Sequence, residues 1–204
     1  QSHQLGNNAV VASRIGGDTL GRALLDDLNR RGMDSAFIQT DSVAPTGTVE
    51  ITLCNGEPEY EIIRDTAWDR LAWDESLAGL AKRSDAVCFG TLGQRFQPAR
   101  STIQQFATAA SQAVRLFDLN LRQDYFSAEL LEAGCRAASI VKMNEGELAT
   151  AASLFGLGQV EEIQQLIDHF DLDLFVLTRG KLGTVLHSAN SVVVGQPARF
   201  TPAP

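Results

Sequence analysis

The chain has 204 residues, of which 44% are hydrophobic and 21% charged, with a formal net charge of −8 at pH 7. That length suits one globular domain with a sizeable core, and that composition excludes disordered and collagen-like chains. An acidic chain without a run of Lys and Arg argues against nucleic acid as a partner. No apolar stretch reaches the roughly 18–20 residues of a membrane span and the first residues form no signal peptide, so no membrane partner and a cytoplasmic location are expected.

In chain order, His3-Gln4-Leu5-Gly6 reads as the tail of a helix closed by Gly, and Ala9-Val10-Val11-Ala12 as a strand. Asp18 is placed to cap a helix in which Leu20, Leu24, Leu25 and Leu28 recur at helical spacing, ending at Gly32. Gly16, Gly21, Arg22 and Ala23 approach a P-loop, but Arg and Ala stand where that loop needs Lys and then Ser or Thr, so this reading is rejected. Between Thr46 and Arg64, two alternating stretches at residues 48–53 and 59–62 flank Asn55-Gly56, the two-residue turn of a β-hairpin. Such a hairpin must pair with other strands or cover something.

Beyond residue 76 the pattern alternates: helix 77–81, strand 85–90, helix 98–113, strand 114–119, helix 127–138, strand 140–143, helix 145–155, helix 161–170 and strand 174–177. Nearly continuous apolar strands between helices predict an α/β fold, a mainly parallel sheet with helices on both faces. Cys54, Cys88 and Cys135 are odd in number, widely spaced and without a Cys-x-x-Cys, and are expected to be free buried thiols.

In such folds ligands bind beyond the carboxyl ends of the strands. Three polar groups fall there: Asp118-Leu119-Asn120-Leu121-Arg122, Asn144 to Glu147, and Thr178-Arg179-Gly180-Lys181-Leu182-Gly183. Asn144 and Glu147 stand three apart at a helix mouth, where free N–H groups and the helix dipole favour phosphate and its metal ion. The same spacing also makes an ordinary capping box. Gly180 and Gly183 let backbone amides approach an anion, or serve a tight turn. Three such groups at one sheet edge favour a phosphate-handling site.

Ile15-Gly16-Gly17-Asp18-Thr19-Leu20-Gly21, Pro45-Thr46-Gly47-Thr48, Phe117-Asp118-Leu119-Asn120-Leu121-Arg122, Lys142-Met143-Asn144-Glu145-Gly146-Glu147 and Thr178-Arg179-Gly180-Lys181-Leu182-Gly183 follow one another in a telling order. That order resembles the ribokinase-type (PfkB) carbohydrate kinase family over nearly the whole chain. Cys88-Phe89-Gly90-Thr91-Leu92-Gly93-Gln94-Arg95 and the Asp-x-Asn-x-Arg form look most like its fructokinase-type branch.

The resemblance implies a ribokinase-like three-layer α/β sandwich over residues 1–204, with a small β lid at residues 44–66, that transfers the γ-phosphate of ATP to a sugar hydroxyl with magnesium (Mg2+). By the same resemblance Asn144 and Glu147 organise the metal, Glu147 through water. Asn120 and Arg122 lie near the phosphates and the acceptor. Thr178, Gly180 and Gly183 join Asn144 in binding the nucleotide. Arg64 is a substrate contact, although the Tyr-x-Arg of some relatives reads Ile62-Ile63-Arg64 here. A homodimer through the lid is a further implication.

The sequence departs from the family twice. The N-terminal Gly-Gly-x-x-x-Asn sugar-binding motif is absent from a chain that starts at Gln1, and the Gly-Ala-Gly-Asp motif with the catalytic Asp is absent from one that ends at Thr201-Pro202-Ala203-Pro204. No catalytic residue is therefore assigned, Asp118 and Asp124 being only carboxylates near the right edge. Losing a positioned base typically costs about 10²- to 10⁴-fold in rate, so these 204 residues, truncated at both ends, are expected to be nearly inactive alone. The alternative is a non-catalytic descendant that keeps nucleotide or sugar binding or scaffolds a partner. A dinucleotide-binding Rossmann domain is weaker, because no Gly-x-Gly-x-x-Gly follows a first strand.

Overall fold

A computed structural model describes residues 2–54, 57–157 and 162–197. Two compact units divide the chain: residues 1–80 with 96–102, and residues 81–95 with 103–204.

In the first unit β1 (Ser13–Gly16) and β2 (Ile38–Asp41) pair in parallel, joined through α1 (Thr19–Arg30). The strand thus falls one segment later than expected, for Ala9-Val10-Val11-Ala12 contributes only a single bridge, from Val10 to Asp34. Burial decides between the two: Ile15 in β1 is 4% exposed, whereas Val11 is 39% exposed. Asp18 caps α1 as expected, accepting the Gly21 N–H at 2.8 Å, and Gly32 follows the helix with φ 68°. The hairpin is also present, β3 (Val49–Cys54) against antiparallel β4 (Glu57–Ile62) in register from Val49↔Ile62 to Cys54↔Glu57. Its expected turn, Asn55-Gly56, lies outside the described residues, as do the last residues of the chain.

The unit boundary falls within two helices, α2 (Glu75–Arg83) and α3 (Ala99–Ala109). The latter stops four residues before the expected end, where Ala113 N–H turns back to the Ala110 carbonyl.

In the second unit β5 (Ala86–Gly90), β6 (Val114–Asp118), β7 (Ile140–Asn144) and β8 (Leu174–Thr178) run parallel. Then β9 (Thr184–Ser188) and β10 (Ser191–Gly195) add antiparallel, giving the order β10-β9-β8-β7-β6-β5. Alternation puts Phe117, Val141, Met143, Phe175 and Leu177 on one face, the first four of them 0% exposed. Against them pack Leu131 of α4 (Ala128–Ala137), Leu148 and Ala151 of α5 (Glu145–Phe155) and Leu166 of α6 (Glu162–Phe170). On the opposite face Leu116, Ile140, Leu174 and Val176 are half-buried. The fold is the expected α/β class: a mainly parallel sheet, helices and a small antiparallel hairpin.

The cysteines are free, but the expectation that all three are buried fails. Only Cys135 is buried, and burial pushes its thiol up to about 12. Cys54 sits on a hairpin strand with no layer over it, and Cys88 on the edge strand of the sheet, so both are exposed.

Candidate functional site

Because β5 to β8 are parallel, their last residues, Gly90, Asp118, Asn144 and Thr178, arrive at one edge of the sheet. Register ties them side by side: Gly90↔Asp118, Asp118↔Lys142, Asn144↔Thr178. Four connections leave from that edge, and those after β6, β7 and β8 are the three that hydrogen bonds lash together.

Helix α5 starts where β7 ends. Asn144 is extended, with φ −92°, and its Oδ1 accepts the Glu147 N–H at 2.9 Å while Glu147 Oε2 accepts the Asn144 N–H at 2.9 Å, a reciprocal capping box. The second carboxylate oxygen reaches further: Glu147 Oε1 accepts the Leu121 N–H at 2.9 Å, from the loop after β6. Glu147 is 8% exposed, so it cross-links two of the three connections from a buried position.

The loop after β6 is held from other sides too. Thr91, 1% exposed, donates its hydroxyl to the Leu119 carbonyl at 2.7 Å, and Leu119 N–H donates to the Lys142 carbonyl at 3.1 Å. Arg95 lies over the Tyr125 ring, 4.9 Å from its centroid. Within this loop Asn120 and Gln123 take φ 46° and 48°, a left-handed backbone that costs a non-glycine residue roughly 1–3 kcal/mol and persists where surroundings over-determine it. Asn120 and Arg122 are exposed at its outer turn.

The third connection follows β8. Thr178 donates its hydroxyl to the Met143 carbonyl at 3.4 Å, and the loop closes on itself through Arg179 N–H to Gly183 O at 2.8 Å and Gly183 N–H to Gly180 O at 3.1 Å. Gly180 and Gly183 need their left-handed φ of 52° and 91°, and a Cβ on Gly183 would strike the Gly195 carbonyl.

The chain is acidic, yet this edge gathers cations. Lys142 pairs with Asp118 at 2.7 Å, Arg179 with Glu145 at 3.0 Å, and Arg122 and Lys181 are exposed beside them. The N–H groups opening α5 lie at the same edge, where helix geometry favours negative charge. Asp118 is taken up by its ion pair with Lys142. Cys88 is exposed on the edge strand, yet partial desolvation of its sulfur, and after it the Asp118 carboxylate, push its thiol up.

A magnesium ion fits here only through water. Each Glu147 oxygen accepts one N–H, leaving about two of a carboxylate's four lone-pair sites for metal-bound waters. Among the described residues no group of three or more His, Cys, Asp or Glu side chains forms a direct metal cage.

The structure brings Asn120, Arg122, Asn144, Glu147, Thr178, Gly180 and Gly183 to this one edge. Arg64 belongs to the first unit, exposed just beyond β4. Sequence reasoning quoted Lys142 and Thr91 within its motifs but gave neither a role. A Lys within the otherwise apolar Ile140-Val141-Lys142-Met143 was the available signal for the first; nothing marked Thr91 as buried.

Known proteins share this fold. The model of the family described as pfkB family carbohydrate kinase matches residues 2–202. A putative sugar kinase of Pyrococcus horikoshii is 25% identical over 71% of this chain and 49% of its own. Fructokinase-2 of Oryza sativa subsp. japonica is 26% identical over 88% of this chain and 56% of its own. The chain thus spans about half the length of these curated relatives. Among solved structures, a fructokinase of Vibrio cholerae with fructose, ADP and calcium bound superposes with a TM-score of 0.79 at 23% identity, covering 98% of this chain and 66% of that one. The Pyrococcus sugar kinase in complex with ATP gives a TM-score of 0.81 at 23% identity, over 97% of this chain and 64% of that one. At that identity the likeness establishes the fold.

Proposed function

This chain belongs to the pfkB family of carbohydrate kinases, and we propose that it forms the nucleotide- and phosphate-positioning part of a fructokinase-like enzyme that moves the γ-phosphate of ATP to a sugar hydroxyl. The observation carrying this is the cross-link made by Glu147, which fixes the Asn120–Arg122 loop to the N–H-rich start of α5 beside the glycine loop at Gly180 and Gly183. Phosphoryl transfer depends chiefly on in-line positioning and on neutralising charge spread over the moving oxygens.

In this reading the amides around Gly180 and Gly183, with Thr178 and Asn144, hold the nucleotide phosphates. Arg122 faces the transferred group and Asn120 orients it toward the acceptor. Glu147 holds magnesium through water, and when bound the ion neutralises phosphate charge. Arg64 contacts the sugar, and residues 44–66 form a lid over it. The relatives' names support a sugar as substrate, and a cytoplasmic setting is part of the same proposal. The apolar side of the hairpin, with Val49, Ile51 and Leu53 at 50%, 62% and 72% exposure, is proposed to meet the same side of a second copy.

No carboxylate is assigned as general base, so residues 1–204 alone are proposed to bind and position, with turnover at least about 10²-fold below a complete kinase. The test incubates a panel of ketoses, aldoses and nucleosides with ATP and magnesium and measures sugar phosphate. Fructose phosphorylation is expected from a form extended along the natural reading frame, and nucleotide binding from residues 1–204. Absence of nucleotide binding by residues 1–204, or of phosphate transfer by the extended form, would refute the proposal.

A further inference from the structure

Two sequence motifs, Gly16-Gly17-Asp18-Thr19-Leu20-Gly21 and Pro45-Thr46-Gly47-Thr48, take no part in the edge just described, yet their side chains are wound around one another. Asp18 Oδ1 accepts the Gly21 N–H at 2.8 Å, capping α1, and also the Thr46 hydroxyl at 2.7 Å. Asp18 Oδ2 accepts the Thr46 N–H at 2.8 Å, and Thr46 Oγ1 in turn accepts the Gly16 N–H at 3.0 Å. Side chains larger than hydrogen do not fit: a Cβ on Gly16 or Gly21 would run into Thr46.

Thr46 stands three residues before β3. The return strand is fixed to the same point, because Ala67 N–H donates to the Pro45 carbonyl at 2.8 Å and Trp68 lies against Gly47, where a Cβ would strike its indole. Thr66 and Asp69, 0% and 3% exposed, close a second capping box beneath that foot. Both feet of an arm that is otherwise exposed on β3 therefore rest on one buried clamp.

We infer that Asp18 is a positioning residue for the hairpin of β3 and β4, setting the arm's direction through Thr46 while it caps α1. Hydrogen bonds from three donors hold the carboxylate in its charged form, well below its ordinary value. Only the kinetic part of the test rests on the lid reading above.

Asp18→Asn separates the two roles. Asn is as good a helix cap as Asp, so its Oδ1 keeps the Gly21 bond, but its NH₂ then faces the Thr46 N–H, donor against donor. A nitroxide on exposed Cys54, in a Cys88→Ser background, reports the arm directly. Asp18→Asn is expected to shift the nitroxide spectrum toward greater mobility with circular dichroism unchanged. Gly47→Ala, which displaces the other foot without touching the α1 cap, is expected to do the same, and Thr46→Ser, which keeps every hydrogen bond, to leave the spectrum as it was. An unchanged nitroxide spectrum in folded Asp18→Asn, or in Gly47→Ala should the first variant not fold, overturns the inference. In the extended enzyme the lid reading adds a rise of about tenfold in KM for sugar with kcat little changed. A mobile arm without that rise keeps the clamp and refutes only the lid.

Discussion

Glu147→Gln tests the cross-link at the phosphate edge. Both carboxylate oxygens accept backbone N–H groups at 2.9 Å, one from Asn144 and one from Leu121. Gln keeps the shape but offers one acceptor and one donor, so one N–H meets an NH₂ group and loses its partner at a side chain only 8% exposed. A hydrogen bond to a charged group contributes about 1.5–3 kcal/mol and an orphaned buried donor costs about 1–3. These overlap, and a net loss of about 2–3 kcal/mol is expected. The assay is amide hydrogen exchange at Leu121 and Asn144. With tenfold per 1.4 kcal/mol, protection at one of the two should fall roughly 30- to 150-fold. The connection after β8 has no bond to Glu147, so Thr184 to Ser188 should exchange as before. Equal protection at Leu121 and Asn144 in variant and parent would refute the cross-link, and the magnesium role built on it.

Three further tests address other parts of the molecule. Gly134→Ala adds about 1 kcal/mol of helix propensity, but its Cβ would strike the Phe117 ring, which is 0% exposed; overpacking of about 1–3 kcal/mol should win, and a raised melting temperature would contradict this. Asp18, lowered from 3.8 to about 2 by its hydrogen bonds, contributes stability that is complete above its ordinary pKa and lost as pH falls through about 2. The urea midpoints of parent and Asp18→Asn should therefore differ at pH 5 and converge toward pH 2, and a gap independent of pH would exclude that cause. Lys142→Met removes an ion pair whose side chains are 32% and 33% exposed, so a loss under about 1 kcal/mol, smaller in high salt, is expected from denaturant titration. A loss of several kcal/mol, indifferent to salt, would show Lys142 to be doing something other than pairing.

How much of this was legible beforehand follows from the range of the interactions. The α5 joint could be read locally, because a capping box needs only Asn144 and Glu147, and the helix came out at residues 145–155 as expected. The bond from Glu147 to Leu121 could not, since it spans 26 residues and appears only once β6 and β7 are in register. Likewise Asp18 read correctly as a cap, but its bonds to Thr46 cross 28 residues. Ala9-Val10-Val11-Ala12 misled because a short apolar run carries no record of what covers it; β1 formed where Ile15 found a buried neighbourhood. The thiols misled for a related reason, for residue type predicts average burial while Cys88 happens to lie on an edge strand.

The central claim, a nucleotide site at the carboxyl edge of β6, β7 and β8, is tested most directly by titrating the amide resonances of the isotope-labelled chain with ATP and magnesium. The largest shifts are expected at Asn120, Arg122, Asn144, Glu147, Gly180 and Gly183, with magnesium changing Glu147 beyond what ATP does alone. Saturable shifts confined elsewhere, or none at these six, would contradict it.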